Sequence, residues 1–105
     1  EAQKPQFELS EYLVYTSVGN AVDPWSYVQQ ITMGGIKFVR GEDGVLRDPN
    51  PAEKQERTAI TADEVQITSQ ADFNTPGTYE ILYQITDDSG KESVTGQVRL
   101  IVVVR

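Results

Sequence analysis

Residues 73–104 constrain the fold more than any other part of the chain, because they encode two long strands joined by a short polar turn. In the first strand apolar and polar side chains alternate, with Leu82 as the one apolar exception. Alternation with a period of two predicts that one face packs on a core while the other meets water. The predicted core-facing residues are Tyr79, Ile81, Tyr83 and Ile85 and, in the return strand, Val94, Val98, Leu100, Val102 and Val104.

Two turn signals bound this antiparallel hairpin. Pro76 and Gly77 precede its first strand, because proline fixes φ and glycine tolerates a positive φ. A polar segment that starts at Asp87 and contains Gly90 separates the two strands. The hairpin therefore predicts an all-β fold.

The end of the return strand is apolar on both faces. Ile101 and Val103 point away from the face that carries Val102 and Val104. This pattern predicts that a further element covers the second face, either the N-terminal strand or a neighbouring domain.

Length, charge and residue types exclude several classes of function. The 105 residues suit one domain and match the size of an immunoglobulin-like sandwich. Nine Lys and Arg residues against sixteen Asp and Glu give a net charge of −7, which argues against nucleic acid or an anionic membrane as partner. No apolar run approaches the ~20 residues of a membrane-spanning helix. Without Cys or His, the chain has no disulfide, thiolate nucleophile or imidazole base.

The remaining sequence predicts short strands and little helix. Asp23 and Pro24 open one short helical turn near 24–30, since Asp caps free N–H groups and Pro suits the first helical position. Thr61 and Glu64 match a capping box, but the β-branched run that follows favours a strand. Together with the long hairpin, about seven strands are expected, the others lying near 7–10, 12–18, 36–39, 45–47 and 62–68.

The domain organisation follows from these elements. Residues 1–5 have the composition of an inter-module linker, and residues 6–105 form a single module. We expect this module to be one unit of a longer polypeptide. Residues 48–57 are polar and hold two prolines, which predicts an exposed loop.

Several of these signals occur together in a known family. A Gly ahead of an Asp-Pro turn, a Pro-Gly-Thr-Tyr strand start and an Asp-rich Gly turn before a Val-rich last strand resemble the bacterial immunoglobulin-like domains of surface proteins. The resemblance covers about 12–31 and 62–104, whereas residues 32–60 depart from it. It implies a Greek-key β-sandwich, an extracellular bacterial location and no shared catalytic site. The residues that carry it are Gly19, Asp23, Pro24, Pro76, Gly77, Tyr79, Tyr83, Asp87 and Gly90.

One group of residues suggests a ligand surface. Trp25 and Tyr27, together with Phe38 and Arg40, are candidates to contact a carbohydrate or protein, because aromatic faces stack on apolar sugar faces. The structural alternative is that Trp25 closes one end of the sandwich and that the tyrosines pack with their hydroxyls at the edge.

Acidic turns raise two further possibilities. Glu42, Asp43, Asp87 and Asp88 offer oxygen ligands for calcium, but the Gly-Glu-Asp-Gly turn lacks the alternating spacing of a dedicated calcium loop. No cofactor is therefore expected. Paired carboxylates are not expected to catalyse, since a small sandwich offers no deep pocket to sustain a raised pKa.

Two functions follow from the sequence. The first is a non-catalytic, monomeric spacer whose partners are the adjacent domains of the same polypeptide. The second is a module that binds a cell-wall or host-surface ligand through residues 32–60 or through the aromatic residues near Trp25. An ordered, concave surface built from 32–60 would favour binding.

Overall fold

The computed structural model describes residues 3–105, which form nine strands and two short 3₁₀ turns. The 3₁₀ turns span Pro24–Tyr27 and Ala62–Glu64. The strands are β1 (Gln6–Leu9), β2 (Leu13–Thr16), β3 (Val28–Met33), β4 (Ile36–Arg40), β5 (Leu46–Arg47), β6 (Ala59–Ile60), β7 (Gln66–Ser69), β8 (Gly77–Asp87) and β9 (Val94–Val104).

The strands build a sandwich of two sheets. One sheet has five strands in the order β1-β3-β4-β5-β6, and the other has four in the order β2-β9-β8-β7. In the second sheet the consecutive strands β7, β8 and β9 form a meander, and β2 lies beside β9. The β2–β9 pairing is parallel, whereas the other pairings are antiparallel. The predicted all-β immunoglobulin-like sandwich is confirmed.

The predicted C-terminal hairpin is the longest feature of the fold. Strands β8 and β9 have 11 residues each and pair without a break from Gly77 opposite Val104 to Asp87 opposite Val94. The predicted facing is correct, because Ile81, Tyr83 and Ile85 are buried. The shorter hairpin of β4 and β5 is also present, with Arg40 opposite Leu46.

The core lies between the two sheets and contains no buried charged group among the described residues. Apart from Tyr83 its members are aliphatic, Met or Phe side chains, so its cohesion comes from removal of apolar surface from water. The buried residues are Leu9, Val14, Val28, Ile31, Met33, Phe38, Leu46, Ile60, Val65, Ile81, Tyr83, Ile85, Leu100, Val102 and Val104.

The hydroxyl of Tyr83 makes a polar link through this core. Its O–H donates to the backbone carbonyl of Pro24 at 2.7 Å. Residue 24 begins the 3₁₀ turn that leads into β3, so the bond ties β8 of one sheet to the entry of the other. A buried hydroxyl needs such a partner, because an unpaired one keeps its full desolvation penalty.

Two local predictions need correction. The helical turn expected near 24–30 ends at Tyr27, because Val28 already belongs to β3 and pairs with Leu9 of β1. The strand expected from 62 begins only at Gln66, because Thr61 and Glu64 form the capping box and hold residues 62–64 in a 3₁₀ turn. At Val28, pairing with β1 outweighs the helical signal of the sequence. At residues 62–64, side-chain capping outweighs the β propensity of the residues that follow.

Within this domain, the N-terminal strand does not cover the second face of β9, and cover by a neighbouring domain remains a prediction. The N-terminal strand β2 lies beside β9 in the same sheet and pairs Leu13 with Ile101 and Tyr15 with Val103. These four side chains therefore share the outer face of the sheet, where Leu13 and Tyr15 are about half exposed.

The N-terminal segment contacts β9 at a glycine that sequence reasoning missed. A Cβ built on Gly96 would lie 1.9 Å from the carbonyl oxygen of Pro5, so only glycine fits there. Residues 1 and 2 lie outside the described residues, and the linker over 1–5 remains a prediction. Within that range Pro5 is buried against the domain.

We expect Gly96→Ala to destabilise the domain by about 2–3 kcal/mol, because two backbone segments must separate to admit one methyl group. Urea unfolding followed by circular dichroism measures the change. Gly90→Ala is the matched control, since its added Cβ would meet only the Glu92 carbonyl oxygen at 4.0 Å. Equal stability of the two variants would contradict the close approach of Pro5.

Removal of the Tyr83 hydroxyl should cost about 1–2 kcal/mol of unfolding free energy, because Tyr83→Phe leaves the Pro24 carbonyl without its partner. Tyr79→Phe is the control: that hydroxyl donates to the Thr75 carbonyl at 2.8 Å in an exposed position. Thermal and urea unfolding should show a much smaller effect there. A similar loss in both variants would argue against a special role for the buried bond.

Alkaline pH should weaken the fold through the same residue. Burial, with Tyr27 and Asp23 nearby, raises the pKa of Tyr83 above its ordinary value. The protonated phenol is therefore favoured in the folded state. Its contribution is complete below about pH 10, where an unfolded tyrosine titrates, and it declines as pH rises above that value. A pH series of urea unfolding should show this decline in the native sequence and a smaller one in Tyr83→Phe.

Candidate functional site

Trp25 closes a corner of the sandwich and bonds to the β4–β5 turn. Asp23 accepts a hydrogen bond from the Trp25 backbone N–H at 3.2 Å, which caps the 3₁₀ turn. The indole Nε1–H donates to the carbonyl of Gly44 at 2.9 Å. Gly44 has a φ of +83°, and a Cβ there would approach the Arg40 guanidinium at 3.3 Å. The turn therefore requires glycine at this position.

Arg40 completes the corner from β4. Its guanidinium carbon lies 5.3 Å from the Trp25 ring centroid, which is a cation–π geometry. Its Nε donates to the carbonyl of Val28 at 2.6 Å, and its Nη2 donates to the carbonyl of Trp25. These bonds satisfy backbone groups where the 3₁₀ turn meets β3. The Arg40 side chain therefore stabilises the fold through bonds within the domain.

The structure brings Arg40 to Trp25 but does not gather all four predicted contact residues on one surface. Phe38 is fully buried in the core, so its side chain is not available to a surface ligand, and this part of the prediction is corrected. Trp25 and Tyr27 are half-buried and pack against the core. The inward position of Phe38 is hard to predict, because β4 has only five residues and Val39 makes the opposite face apolar as well.

The acidic turns make internal contacts. Asp43 accepts two hydrogen bonds from Arg47, at 3.0 and 2.8 Å, and one from the Val45 backbone at 3.1 Å. The Arg47 hydrogen bond is the main cause that lowers the pKa of Asp43 to about 2. Asp87 accepts from the backbone N–H and hydroxyl of Ser89, which lowers its pKa. Within residues 3–105 no three acidic side chains gather in a metal-binding group.

Residues 48–57 form the predicted exposed loop, and side chains hold it in place. The Gln55 amide donates to the Asp48 carboxylate at 2.9 Å and to the Arg57 carbonyl at 2.8 Å. Its amide oxygen accepts from the backbone N–H of Ala52 at 3.0 Å. The loop joins β5 to β6 at one edge of the five-stranded sheet. The loop is ordered, but its internal hydrogen bonds close the connection between β5 and β6 and do not build a concave binding surface.

A shallow depression lies at the end of the domain remote from Trp25. It has a volume of about 290 Å³ between the β3–β4 turn and the β8–β9 turn, and its walls include Gly34, Asp87 and Gly90. A smaller neighbour of about 170 Å³ includes Arg57. Phe38 contributes to the lining of the smaller depression, whereas Trp25 and Tyr27 line neither.

The remaining motif residues shape turns. Gly19 has a φ of +88°, and its N–H donates to the Phe73 carbonyl at 2.7 Å, which joins two turns at one end of the domain. Tyr79 closes the turn around Pro76 through its bond to Thr75. Gly77 begins β8 opposite the last residue of β9. These positions act on the fold and bring no reactive group together.

No helical segment in the described part of the chain has the length and apolar character of a membrane-spanning helix. None of the curated proteins compared with the sequence matches it. A solved structure of the M60 catalytic domain with the CBM51-1 and CBM51-2 domains from Clostridium perfringens ZmpB aligns with 96% of this chain, at a TM-score of 0.57 and 20% identity. This chain spans only 8% of that one, and the similarity is one of fold.

The family of Ig-like domains of bacterial surface proteins matches residues 41–103, more than half of the chain. The match starts within 32–60, so part of the segment interpreted above as a departure belongs to the family pattern. The sandwich, its turn residues and this match agree, and the chain belongs to the family of bacterial surface protein Ig-like domains.

Proposed function

We propose that this domain is a non-catalytic spacer that carries tension between neighbouring domains of a bacterial surface protein outside the cell. The observation that carries the proposal is the parallel pairing of β2 with β9. Such a pairing places the N-terminal and C-terminal parts of the chain in direct contact through backbone hydrogen bonds. The membership of the family supports a location on the bacterial surface.

The chain enters and leaves at opposite ends of the domain. Gln3 lies with Gly34 and Gly90 around the depression at one end. At the other end the N–H of Arg105 donates to the carbonyl of Thr16 at 3.0 Å, and Val104 pairs with Gly77. The longest dimension is 48 Å. A neighbour attached at each end would be held apart by about this length.

Tension applied to the two ends passes through β1, which pairs with β3, and loads β2 and β9 in shear. The strands run in the same direction, with Leu13 opposite Ile101 and Thr16 opposite Val104. A pull on the N-terminal side moves β2 one way along its axis, and a pull on the C-terminal side moves β9 the other way. All hydrogen bonds between them then stretch together, whereas a peeling geometry breaks them one after another.

The contacts around Trp25 favour the spacer over the ligand-binding alternative. The indole N–H and the Nε and Nη2 groups of Arg40 already donate to backbone carbonyls, so these groups stabilise a corner of the fold. The Clostridium chain described above combines a catalytic domain with CBM51 domains. A rigid domain of the same fold suits the task of positioning such units relative to one another.

The force-bearing role predicts a specific loss of mechanical strength. The carbonyls of Tyr12 and Thr16 accept from β9, so Val14 between them also directs its backbone groups toward β9. Val14→Pro removes one of about five loaded bonds and should lower the unfolding force by roughly a fifth or more. Single-molecule stretching between the two termini measures it.

Tyr15→Pro is the matched control, because residue 15 directs its N–H away from β9. Its unfolding force should stay close to that of the native sequence. Equal unfolding forces for Val14→Pro and the native domain would overturn the proposed load-bearing pair. Saturable binding of cell-wall polysaccharide at Trp25, combined with such equal forces, would favour the ligand-binding alternative.

A further inference from the structure

We propose that two copies of this domain associate through the open edge of β2, which joins their four-stranded sheets into one. The inference is independent of the force-bearing role. It concerns the side of β2 that faces away from β9, whereas the load is carried on the side that faces β9. The occupant of this edge is a second copy of the same strand.

β2 is an unprotected edge strand. Among residues 3–105 its one neighbour in the sheet is β9, and no described strand pairs with its other side. Proteins usually guard such edges with charges, prolines or very short strands, because an open strand pairs readily with another. Residues 12–18 contain no charged residue and no proline, and they are rich in β-branched and aromatic side chains.

The other three edges carry protection. β1 starts immediately after Pro5 and holds Glu8, and β6 has only two residues. β7 exposes the polar side chains of Gln66 and Thr68. Among the edges that the structure describes, β2 alone combines an open side with apolar side chains on the outer face.

The apolar surface of β2 continues onto its neighbour. Leu13 is 48% exposed and Tyr15 is 55% exposed. They lie beside Ile101 and Val103 of β9 on the outer face. This surface gives an added strand apolar side chains to pack against.

The backbone of β2 offers free groups at the same residues. The N–H and C=O of one strand residue point to one side, and successive residues alternate. Tyr12 and Thr16 face β9, since their carbonyls accept from Ile101 and Arg105 at 3.0 Å. Leu13 and Tyr15 therefore direct their N–H and C=O groups to the open side.

These features make β2 complementary to itself. In an antiparallel pair with Val14 on the two-fold axis, Leu13 of each copy lies opposite Tyr15 of the other. Both residues have free backbone groups, so each of the two pairs exchanges two hydrogen bonds. The same register places Leu and Tyr side chains opposite each other on the outer face, which is a favourable cross-strand pairing.

The charges near the edge agree with this register. The Arg105 guanidinium lies 4.4 Å from the Tyr15 ring centroid, so a positive charge accompanies Tyr15. Glu11 is exposed and precedes Leu13 by two residues. The antiparallel pair brings Arg105 of one copy toward Glu11 of the other, twice. This attraction offsets part of the repulsion between two domains that each carry a net charge of −7.

An interface of one short strand per copy is small, and we expect weak association. Sedimentation velocity from about 10 μM to about 1 mM should show the sedimentation coefficient rise with concentration. In NMR spectra over the same range, the amide signals of Leu13 and Tyr15 should shift. The amide of Thr68 on the opposite edge should not.

Two substitutions test the edge itself. Tyr15→Pro removes a free N–H, and Leu13→Lys places two charges within the interface, so both should abolish the concentration dependence. Val39→Lys is the matched control, because Val39 is 41% exposed on β4, an inner strand of the other sheet. It should associate like the native sequence. Circular dichroism confirms that each variant is folded.

A charge exchange tests the register. The double variants Leu13→Lys/Tyr15→Lys and Leu13→Glu/Tyr15→Glu should each be monomeric, and an equimolar mixture should associate, since every contact then joins opposite charges. A native domain that stays monomeric to about 1 mM overturns the proposal. Association that survives both Tyr15→Pro and Leu13→Lys, or that Val39→Lys also abolishes, overturns it equally.

Discussion

The unbroken pairing of β8 with β9 is the constraint on which the rest of the structure depends. It places Ile81 opposite Leu100 and Tyr83 opposite Val98, with Val102 and Val104 further along the same face of β9, and so creates one wall of the core. Strand β7 adds to one side of this pair and β2 to the other. The five-stranded sheet then has a fixed apolar surface to pack against. Its own strands are short, and two of them have only two residues.

A few polar bonds determine how the second sheet meets this wall. The Tyr83 hydroxyl fixes the 3₁₀ turn before β3, and Arg40 binds two carbonyls at the end of the same turn. Burial of apolar side chains alone would let the two sheets slide against each other, because the hydrophobic effect has no directional preference. Directional bonds at the point where the chain crosses between sheets remove that freedom. The long β8–β9 hairpin and the hydrogen-bonded connection between the sheets together give the domain a fixed shape, which suits a spacer.

Much of this architecture can be predicted from the sequence, and the features that cannot be predicted have physical causes. Alternation revealed β8 and β9 because each strand is long enough to repeat its pattern several times. The inward position of Phe38 was not legible, since β4 is short and has apolar side chains on both faces. Gly96 escaped notice because its constraint comes from Pro5, which is ninety-one positions away in the chain. The roles of Arg40 and Asp43 depend on partners that only the folded chain brings near.

The single tryptophan sits where the two sheets are joined, with its N–H bonded to Gly44 and Arg40 over its ring. Its fluorescence therefore reports on that corner, whereas far-ultraviolet circular dichroism reports mainly on the long hairpin. The two optical signals sample different regions of the molecule. Their coincidence or separation during unfolding reveals whether the corner opens before the hairpin, without any added label.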